Sequence, residues 1–132
     1  HQQFWVFNTH LDHVGEVARE KSAQLIMAKI KEVNTQNLPV VFTGDFNATP
    51  DTAWLSDLKK EMNDSKDITE EKPFGPNETF NGFQYNEIPK TRIDYIFTSK
   101  EIKVKKYAVL AETQNLRFPS DHFPVYAEIQ LK

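Results

Sequence analysis

Seven side chains of types that bind metals or move protons lie at or near the ends of apolar segments of this chain: Asn8, His10, Asp45, Asn47, Asp94, Asp121 and His122. Carboxylate and amide oxygens bind hard divalent cations. A carboxylate or an imidazole can accept a proton from water, and a positioned donor stabilises the charge that develops on a phosphate ester. If a sheet gathers these side chains at one edge, they form a site for metal-assisted phosphoryl transfer.

Each group is a weak signal by itself, as the segment TGDFNATP at residues 43–50 illustrates. Gly, Asp and Asn all suit turns, so Asp45 and Asn47 can equally form a polar turn after a strand. In the same way, Asp121 in the segment SDH can be a simple cap. Only the combination of these groups favours a catalytic site.

The first half of the chain contains the elements that would position Asn8, His10, Asp45 and Asn47. Two short apolar runs, residues 4–7 and 40–42, are typical of strands that are covered on both faces. Between them, residues 16–33 have the periodicity of a helix, and this strand-helix-strand order favours a parallel or mixed sheet. The face of the helix toward that sheet is predicted to consist of Ala18, Ser22, Ala23, Leu25, Ile26, Ile30 and Val33.

The second half is predicted to contain a short helix over residues 52–60, a long polar loop over 61–76, and three strands over 92–98, 102–110 and 123–131. In the last strand, strict alternation places Phe123, Val125, Ala127, Ile129 and Leu131 on one face and Tyr126, Glu128, Gln130 and Lys132 on the other.

The composition limits the kinds of site and partner. The chain has 132 residues, no cysteine and a formal net charge of -3, so disulfides and thiolate metal sites are excluded, and a broad basic surface for nucleic acid is not expected. It contains no apolar run near the roughly 20 residues of a membrane span, and its N-terminal residues lack the pattern of a signal peptide. We therefore expect a soluble single domain, whose compartment the sequence does not indicate.

The predicted helices are too few to cover both faces of the predicted sheet. One long helix can cover one face of the predicted sheet, yet two strands have the composition of strands covered on both faces. We therefore expect half of a layered structure, which another segment or another chain completes.

Four blocks of the sequence, in the order NTHLDH, GDFNATP, RIDYIF and SDHFPV, resemble the signature blocks of the endonuclease/exonuclease/phosphatase superfamily, the deoxyribonuclease-like magnesium-dependent phosphoesterases. The resemblance implies an α/β fold in which residues 1–132 form the C-terminal half of a single domain. That half belongs to a four-layered α/β/β/α sandwich, with a mixed sheet and one long covering helix. The N-terminal half, in cis or as a separate chain, would supply an Asn and the principal metal-binding Glu.

The resemblance also implies roles for residues of the GDFN and SDH blocks. Asp45 would orient or deprotonate the attacking water, and Asn47 would contact the phosphate or the water shell of the metal. Asp121 would lie beside the metal. Asp45, Asn47 and Asp121 are therefore the expected contacts of a Mg²⁺ or Mn²⁺ ion.

Two imidazoles complete the implied catalytic set. His122 would contact the scissile phosphate, with Asp94 fixing its tautomer. His10 would donate to a phosphate oxygen or to the leaving group, oriented by an acid from the N-terminal half.

Three further polar residues are open to two interpretations. Asn8 and Arg19 are candidate substrate-binding residues, but Arg19 lies on the apolar helix face, where a structural ion pair is the favoured alternative. His13 is either at the rim of the site or in the turn before the helix, and the turn is favoured. Four aromatic residues, which are either core residues or a substrate rim, are Trp54, Phe80, Phe83 and Tyr85.

The predicted function is hydrolysis of a phosphodiester or a phosphomonoester by a divalent-metal-dependent enzyme. The alternative is a binding or structural module that keeps the fold without turnover. All the expected side chains of this half are present, which favours the enzyme. The sequence does not decide whether the substrate is a small molecule, a lipid headgroup or a nucleic acid.

Overall fold

A computed structural model describes residues 2–131 of the chain, which form three helices and six strands. In chain order they are β1 (Trp5–His10), α1 (Glu16–Val33), β2 (Val40–Asp45), α2 (Ala53–Glu61), β3 (Asn63–Asp64), α3 (Ser65–Ile68), β4 (Asp94–Thr98), β5 (Lys103–Val109) and β6 (Val125–Gln130). Within these residues, no helix is long and apolar enough to cross a membrane.

The strands form two sheets. The larger has the order β1-β2-β4-β3, in which β1 pairs with β2 in parallel and the other pairs are antiparallel. The smaller is the antiparallel pair of β5 and β6. The prediction of an α/β fold with a mixed sheet is therefore confirmed.

Helices α1 and α2 cover the same face of the larger sheet. Phe42 of β2 and Phe97 of β4 are paired across the two strands, and both are fully buried against the helices. From α2, Trp54, Leu55 and Leu58 enter the same core. Each such side chain contributes about 1.5–3 kcal/mol when it leaves water. Two helices thus share the covering role that was expected of α1 alone.

Strand β1 departs from the expectation of a strand covered on both faces. Trp5 is 40% exposed and Val6 is 58% exposed, whereas Val40 and Val41 of β2 are buried as expected. The reason is position in the sheet, because within residues 2–131 β1 pairs with β2 only and forms the edge. An exposed apolar edge strand is unusual for a sheet that has no further partner.

The buried stripe of α1 is narrower than predicted. Ala23 and Ile30 are buried, with Ile26 partly buried beside them, but Leu25 and Val33 are exposed. A helix that lies over the edge of a sheet contacts it along one line, so residues on the flanks of its apolar face remain in water.

Residues 61–76 contain two short elements, β3 and α3, where a continuous loop was predicted. Asp64, at the end of β3, is fully buried and accepts two hydrogen bonds from the Arg92 guanidinium, at 2.8 and 2.7 Å. The acidic composition that indicated a loop therefore includes a carboxylate inside the protein, whose partner lies far along the chain.

The last strand has the predicted alternation. Val125, Ala127 and Ile129 are partly buried, and the residues between them are exposed. Lys132, which the alternation assigned to the outward face, lies outside the described residues.

Candidate active site

Three of the predicted site residues form a row across the larger sheet. The pairing register places His10 of β1 opposite Asp45 of β2, and Asp45 opposite Asp94 of β4. Directly opposed residues of neighbouring strands project from the same face with their Cβ atoms about 4.5–5.5 Å apart. The sheet itself therefore brings together side chains from three separate blocks of the sequence.

Gly44 permits the close approach of β1 and β2 beside this row. Its φ of 146° is unfavourable for other residues, and a Cβ at this position would overlap the backbone carbonyl of Thr9. Steric crowding therefore explains why glycine occupies this position of the GDFN block, and this explanation does not depend on a turn.

The turn after β2 fixes Asp45 and Asn47. One oxygen of the Asp45 carboxylate accepts the backbone N–H of Asn47 at 2.8 Å, and Asn47 adopts a left-handed φ of 47°, which asparagine tolerates. The Asn47 side-chain nitrogen donates to the carbonyl of Leu11 at 2.9 Å. The amide oxygen is therefore the atom of Asn47 that a metal or a donor could use.

The second oxygen of Asp45 faces both imidazoles. Asp45 Oδ2 lies 3.3 Å from Nε2 of His10 and 3.8 Å from Nε2 of His122. His122 Nδ1 lies 2.8 Å from Oδ2 of Asp94, the geometry that fixes the tautomer of the ring. Nε2 of His122 is thus directed toward Asp45 and away from the carboxylate that orients it.

Thr79 holds the Asp94 end of the cluster and was not foreseen from the sequence. Its buried hydroxyl accepts the backbone N–H groups of Ile93 at 3.0 Å and Asp94 at 3.1 Å. Its carbonyl also accepts the N–H of Phe123 at 2.7 Å, which joins the two blocks that carry Asp94 and His122. No sequence pattern marks this threonine, because its partners become neighbours only in the folded chain.

The environment raises the pKa of Asp45. Burial is the main cause, and the negative charge of Asp94 adds to it, whereas the N–H of Asn47 and the two imidazoles act in the opposite direction. A carboxylate with a raised pKa is a stronger proton acceptor.

Burial and the neighbouring carboxylates have opposite effects on the pKa of His122. Burial alone would lower the pKa of His122, but the hydrogen bond and charge of Asp94, aided by Asp45 and Asp121, outweigh it and raise that pKa. This favours the imidazolium, which can donate a hydrogen bond to an anionic phosphate.

The other predicted site residues are less closely gathered. Asp121 lies outside the trio of Asp45, Asp94 and His122, and its carboxylate accepts from the Ser120 hydroxyl at 3.4 Å. Asn8 shares the sheet face of His10 and accepts from the Thr43 hydroxyl at 2.9 Å.

Arg19 and His13 lie at the start of α1. Arg19 donates to the backbone carbonyl of Asp12 at 3.1 Å, so the expected ion pair is replaced by a hydrogen bond to the chain. His13 is exposed in the turn before the helix, as favoured, and this turn is held by the Asp12 carboxylate, which accepts the N–H groups of Val14 and Gly15.

The four aromatic residues take different positions. Trp54 is a core residue that α2 contributes. Phe80 packs edge-to-face on His122, with ring centroids 5.1 Å apart. Phe83 and Tyr85 are exposed on the loop that follows.

A cleft lies over the row of site residues. Its floor is the face of β2 and β4 that carries Thr43, Asp45 and Ile96, and Phe123 and Val125 form its opposite wall. Its volume is about 410 Å³. The carboxylates at its edge are thus accessible to a ligand.

The site residues offer some of the ligand atoms that a hard divalent cation needs. Asp45, Asp94 and His122 each offer one ligand atom, and these atoms lie within 4.8 Å of one another. The carboxylate oxygens, with the amide oxygen of Asn47 nearby, are the donors that Mg²⁺ and Mn²⁺ prefer. Since Mg²⁺ takes about six ligands, water, substrate or another segment would have to supply the rest.

Residues 4–122 match the model described as the Endonuclease/Exonuclease/phosphatase family. A search of curated proteins found no match.

Several solved structures are similar in sequence and fold. A mannosyl-6-phosphatase from Bacteroides thetaiotaomicron is 38% identical with a TM-score of 0.86, over 96% of this chain and 51% of that one. A second family protein from the same organism is 37% identical with a TM-score of 0.87, over 96% and 49%. A functionally unknown protein from Enterococcus faecalis is 32% identical with a TM-score of 0.87, over 96% and 50%. The chain therefore spans about half the length of these structures.

Proposed function

This chain belongs to the endonuclease/exonuclease/phosphatase family, and from that premise we propose that it is the C-terminal half of a divalent-metal-dependent phosphoesterase. The observation that supports the proposal is the convergence of His10, Asp45, Asp94 and His122, which come from four separate segments, on one edge of the sheet. Two opposed carboxylates on adjacent strands destabilise a sheet, so their presence favours a functional reason.

In the proposed reaction, water attacks the phosphorus of a phosphate ester. Asp45 accepts a proton from the water while the new P–O bond forms and the bond to the leaving oxygen breaks. One imidazolium gives its proton to the leaving oxygen and the other donates to a phosphate oxygen; these are His10 and His122, and Asp94 orients His122. Hydrolysis thus yields an alcohol and a phosphate.

Asp45, Asn47 and Asp121 would hold Mg²⁺ or Mn²⁺, together with groups of the N-terminal half. When bound, such an ion neutralises charge on the phosphate and polarises its oxygen. Asp121 would have to turn toward Asp45 from its contact with Ser120. Asn8 would bind substrate beside His10, because both project from the same face of β1. Arg19 would remain at a distance, since it is engaged with the Asp12 carbonyl.

The exposed β1 edge and its Val6 support the proposal that an N-terminal half, in cis or as a separate chain, completes the domain. The substrate is a phosphate ester, and the similarity to a mannosyl-6-phosphatase favours a phosphomonoester over a phosphodiester.

The test is turnover of p-nitrophenyl phosphate and bis(p-nitrophenyl) phosphate by the chain together with its N-terminal half, at saturating Mg²⁺. We expect Asp45→Asn and His122→Ala each to lower kcat by about 10²–10⁴-fold, or roughly 3–5 kcal/mol of barrier. Asp94→Asn should act through His122, so its effect and that of His122→Ala should be non-additive.

The matched control is His13→Ala, which removes an exposed imidazole from the turn before α1 and should leave turnover unchanged. If the Asp45 and His122 variants remain folded by circular dichroism and keep near wild-type rates, the proposed mechanism is wrong, and a binding module that keeps the fold becomes the better explanation.

A further inference from the structure

We call the proposed catalytic residues His10, Asp45, Asp94 and His122 the catalytic cluster. A second pocket, of about 250 Å³, adjoins this cluster on the side of His122. The loop over residues 80–91 forms this pocket, which we call the loop pocket. Its lining includes Phe80, Asn81, Gln84, Glu87, Ile88 and Lys90. The proposed reaction uses none of them.

Phe80 joins the loop pocket to the catalytic cluster. Its ring lines the pocket and also packs edge-to-face on the ring of His122, with a centroid distance of 5.1 Å. Its backbone forms bridges with both His122 and Thr91. A group bound in the loop pocket would therefore lie one aromatic ring away from the imidazole proposed to contact the phosphate.

Asn81 ties the shape of the loop to the segment that carries His122. It is 7% exposed, its side-chain nitrogen donates to the Ser120 carbonyl at 3.1 Å, and its backbone N–H donates to the Asp121 carbonyl at 2.8 Å. Its side-chain oxygen accepts the N–H of Phe83 at 2.8 Å. Hydrogen bonds therefore join the pocket wall directly to the segment that carries His122.

The loop also contains backbone strain. Gly82 and Phe83 are successive left-handed residues, with φ of 58° and 62°, and for a bulky residue such as Phe83 this conformation is unfavourable. Surrounding bonds must maintain such a conformation, and strain of this kind is concentrated at ligand sites. The hydrogen bond from Phe83 to Asn81 is one of those that hold it.

The lining suits a small neutral polyol. Gln84, Glu87 and Lys90 provide hydrogen-bond donors and acceptors, while Phe80 and Ile88 provide apolar surface. A sugar ring presents the same combination, with hydroxyl groups at its rim and C–H groups on its faces. The Glu87 carboxylate would repel a second phosphate, and the volume, which is slightly below the roughly 300–1,000 Å³ usual for ligand pockets, limits the occupant to a small ligand.

We propose that the loop pocket is the leaving-group site and takes the single sugar ring of a sugar monophosphate, whose phosphate lies at Asp45 and His122. This rests on the proposed phosphoesterase function. Glu87 and Lys90 bind ring hydroxyls, and Asn81 is a positioning residue that aligns the pocket with His122. Hydrolysis transfers the phosphoryl group to water and leaves the free sugar.

Binding is tested first, by ¹⁵N–¹H NMR titration of the labelled chain together with its N-terminal half, with mannose 6-phosphate and, separately, with inorganic phosphate. Mannose 6-phosphate is expected to shift amide signals of both residues 80–91 and the cluster around Asp45 and His122, whereas phosphate shifts the cluster only. Lys90→Ala should weaken mannose 6-phosphate binding about tenfold, as for loss of one hydrogen bond to a charged group, without affecting phosphate binding. Lys72→Ala, an exposed lysine outside the pocket, is the matched control.

Kinetics separate this inference from the proposed function. With the completed domain, Lys90→Ala should raise KM for mannose 6-phosphate about tenfold but raise KM for p-nitrophenyl phosphate less, because the nitrophenyl ring carries no hydroxyl groups for Lys90 to bind. If mannose 6-phosphate does not shift the amide signals of residues 80–91, the loop pocket assignment is wrong. This conclusion holds even if p-nitrophenyl phosphate is hydrolysed. Absence of p-nitrophenyl phosphate hydrolysis would count against the proposed function instead, and the titration would still decide the pocket.

Discussion

The buried pair of Asp64 and Arg92 offers a direct test of how the segment before Asp94 is held in place. Asp64 is fully buried and Arg92 is 6% exposed, and two hydrogen bonds of 2.8 and 2.7 Å join them in a bidentate arrangement. The guanidinium also lies 4.4 Å from the centre of the Tyr95 ring. Changing Asp64 to Asn would leave a buried cation without its counter-charge.

We expect Asp64→Asn to lower the free energy of unfolding by about 3–5 kcal/mol, the usual cost of removing one partner of a buried ion pair. Asparagine is nearly isosteric, and its side-chain oxygen can still accept the Lys66 N–H that the Asp64 carboxylate accepts at 3.1 Å at the start of α3. The loss therefore measures the charge rather than the cap. With a urea slope of about 2 kcal/mol/M, the unfolding midpoint should fall by roughly 1.5–2.5 M.

The control is Asp67→Asn. Asp67 is 52% exposed and pairs at 2.8 Å with Lys59, which also lies 3.4 Å from Asp64. Because exposed pairs contribute about 0–1 kcal/mol, this variant should unfold close to wild type. Urea titration followed by circular dichroism, with the same chain preparation for both variants, provides the comparison. Equal midpoints for the Asp64 and Asp67 variants would refute the argument that the buried pair needs its negative charge.

Two further predictions concern the β1 edge and its approach to β2. Gly44→Ala should lower the free energy of unfolding by about 3 kcal/mol or more, because the added methyl group meets a β1 carbonyl at an unfavourable φ. The control is Gly82→Ala, where only the Phe80 ring is near, at 3.6 Å. It should lower the free energy of unfolding by about 1–2 kcal/mol in the same urea titration. Val6→Lys should weaken binding of the N-terminal half by at least about 100-fold in calorimetric titration, because the lysine would be buried without a partner. Val17→Lys, at a similarly exposed valine of α1, should bind normally, and equal affinities for the two lysine variants would contradict a docking role for β1.

The sequence predicted site residues at these positions because their types are chemically distinctive and each lies at or near the end of an apolar segment. His10, Asp45 and Asp94 were assigned to three different strands before their register was known, and the structure aligns them across one sheet face. For His10 and Asp45, the order of elements is enough, because parallel strands joined by a crossover tend to end at the same edge of the sheet. Asp94 reaches the same edge in another way, because it begins β4, which is antiparallel to β2.

Residues that support the site without reacting were not predictable in this way. Thr79 and Asn81 lie in a polar loop, where threonine and asparagine are common for many reasons. Their importance comes from bonds to Asp94, Ser120 and Asp121, which depend on long-range contacts. Asp64 was missed for the same reason, because burial of a carboxylate is intelligible only once its arginine partner is known.

The register of β1, β2 and β4 explains why the site and the fold depend on each other. A slip of one residue in either strand pairing would move His10 or Asp94 to the face of the sheet that packs on the helices, and would separate it from Asp45. The same slip would expose Phe7 of β1, which packs against the core, or Phe97 of β4, which is fully buried when the register is correct. The apolar core therefore selects the one register in which His10, Asp45 and Asp94 form a row, and the unfavourable opposition of Asp45 and Asp94 is maintained by burial on the other face of the same strands.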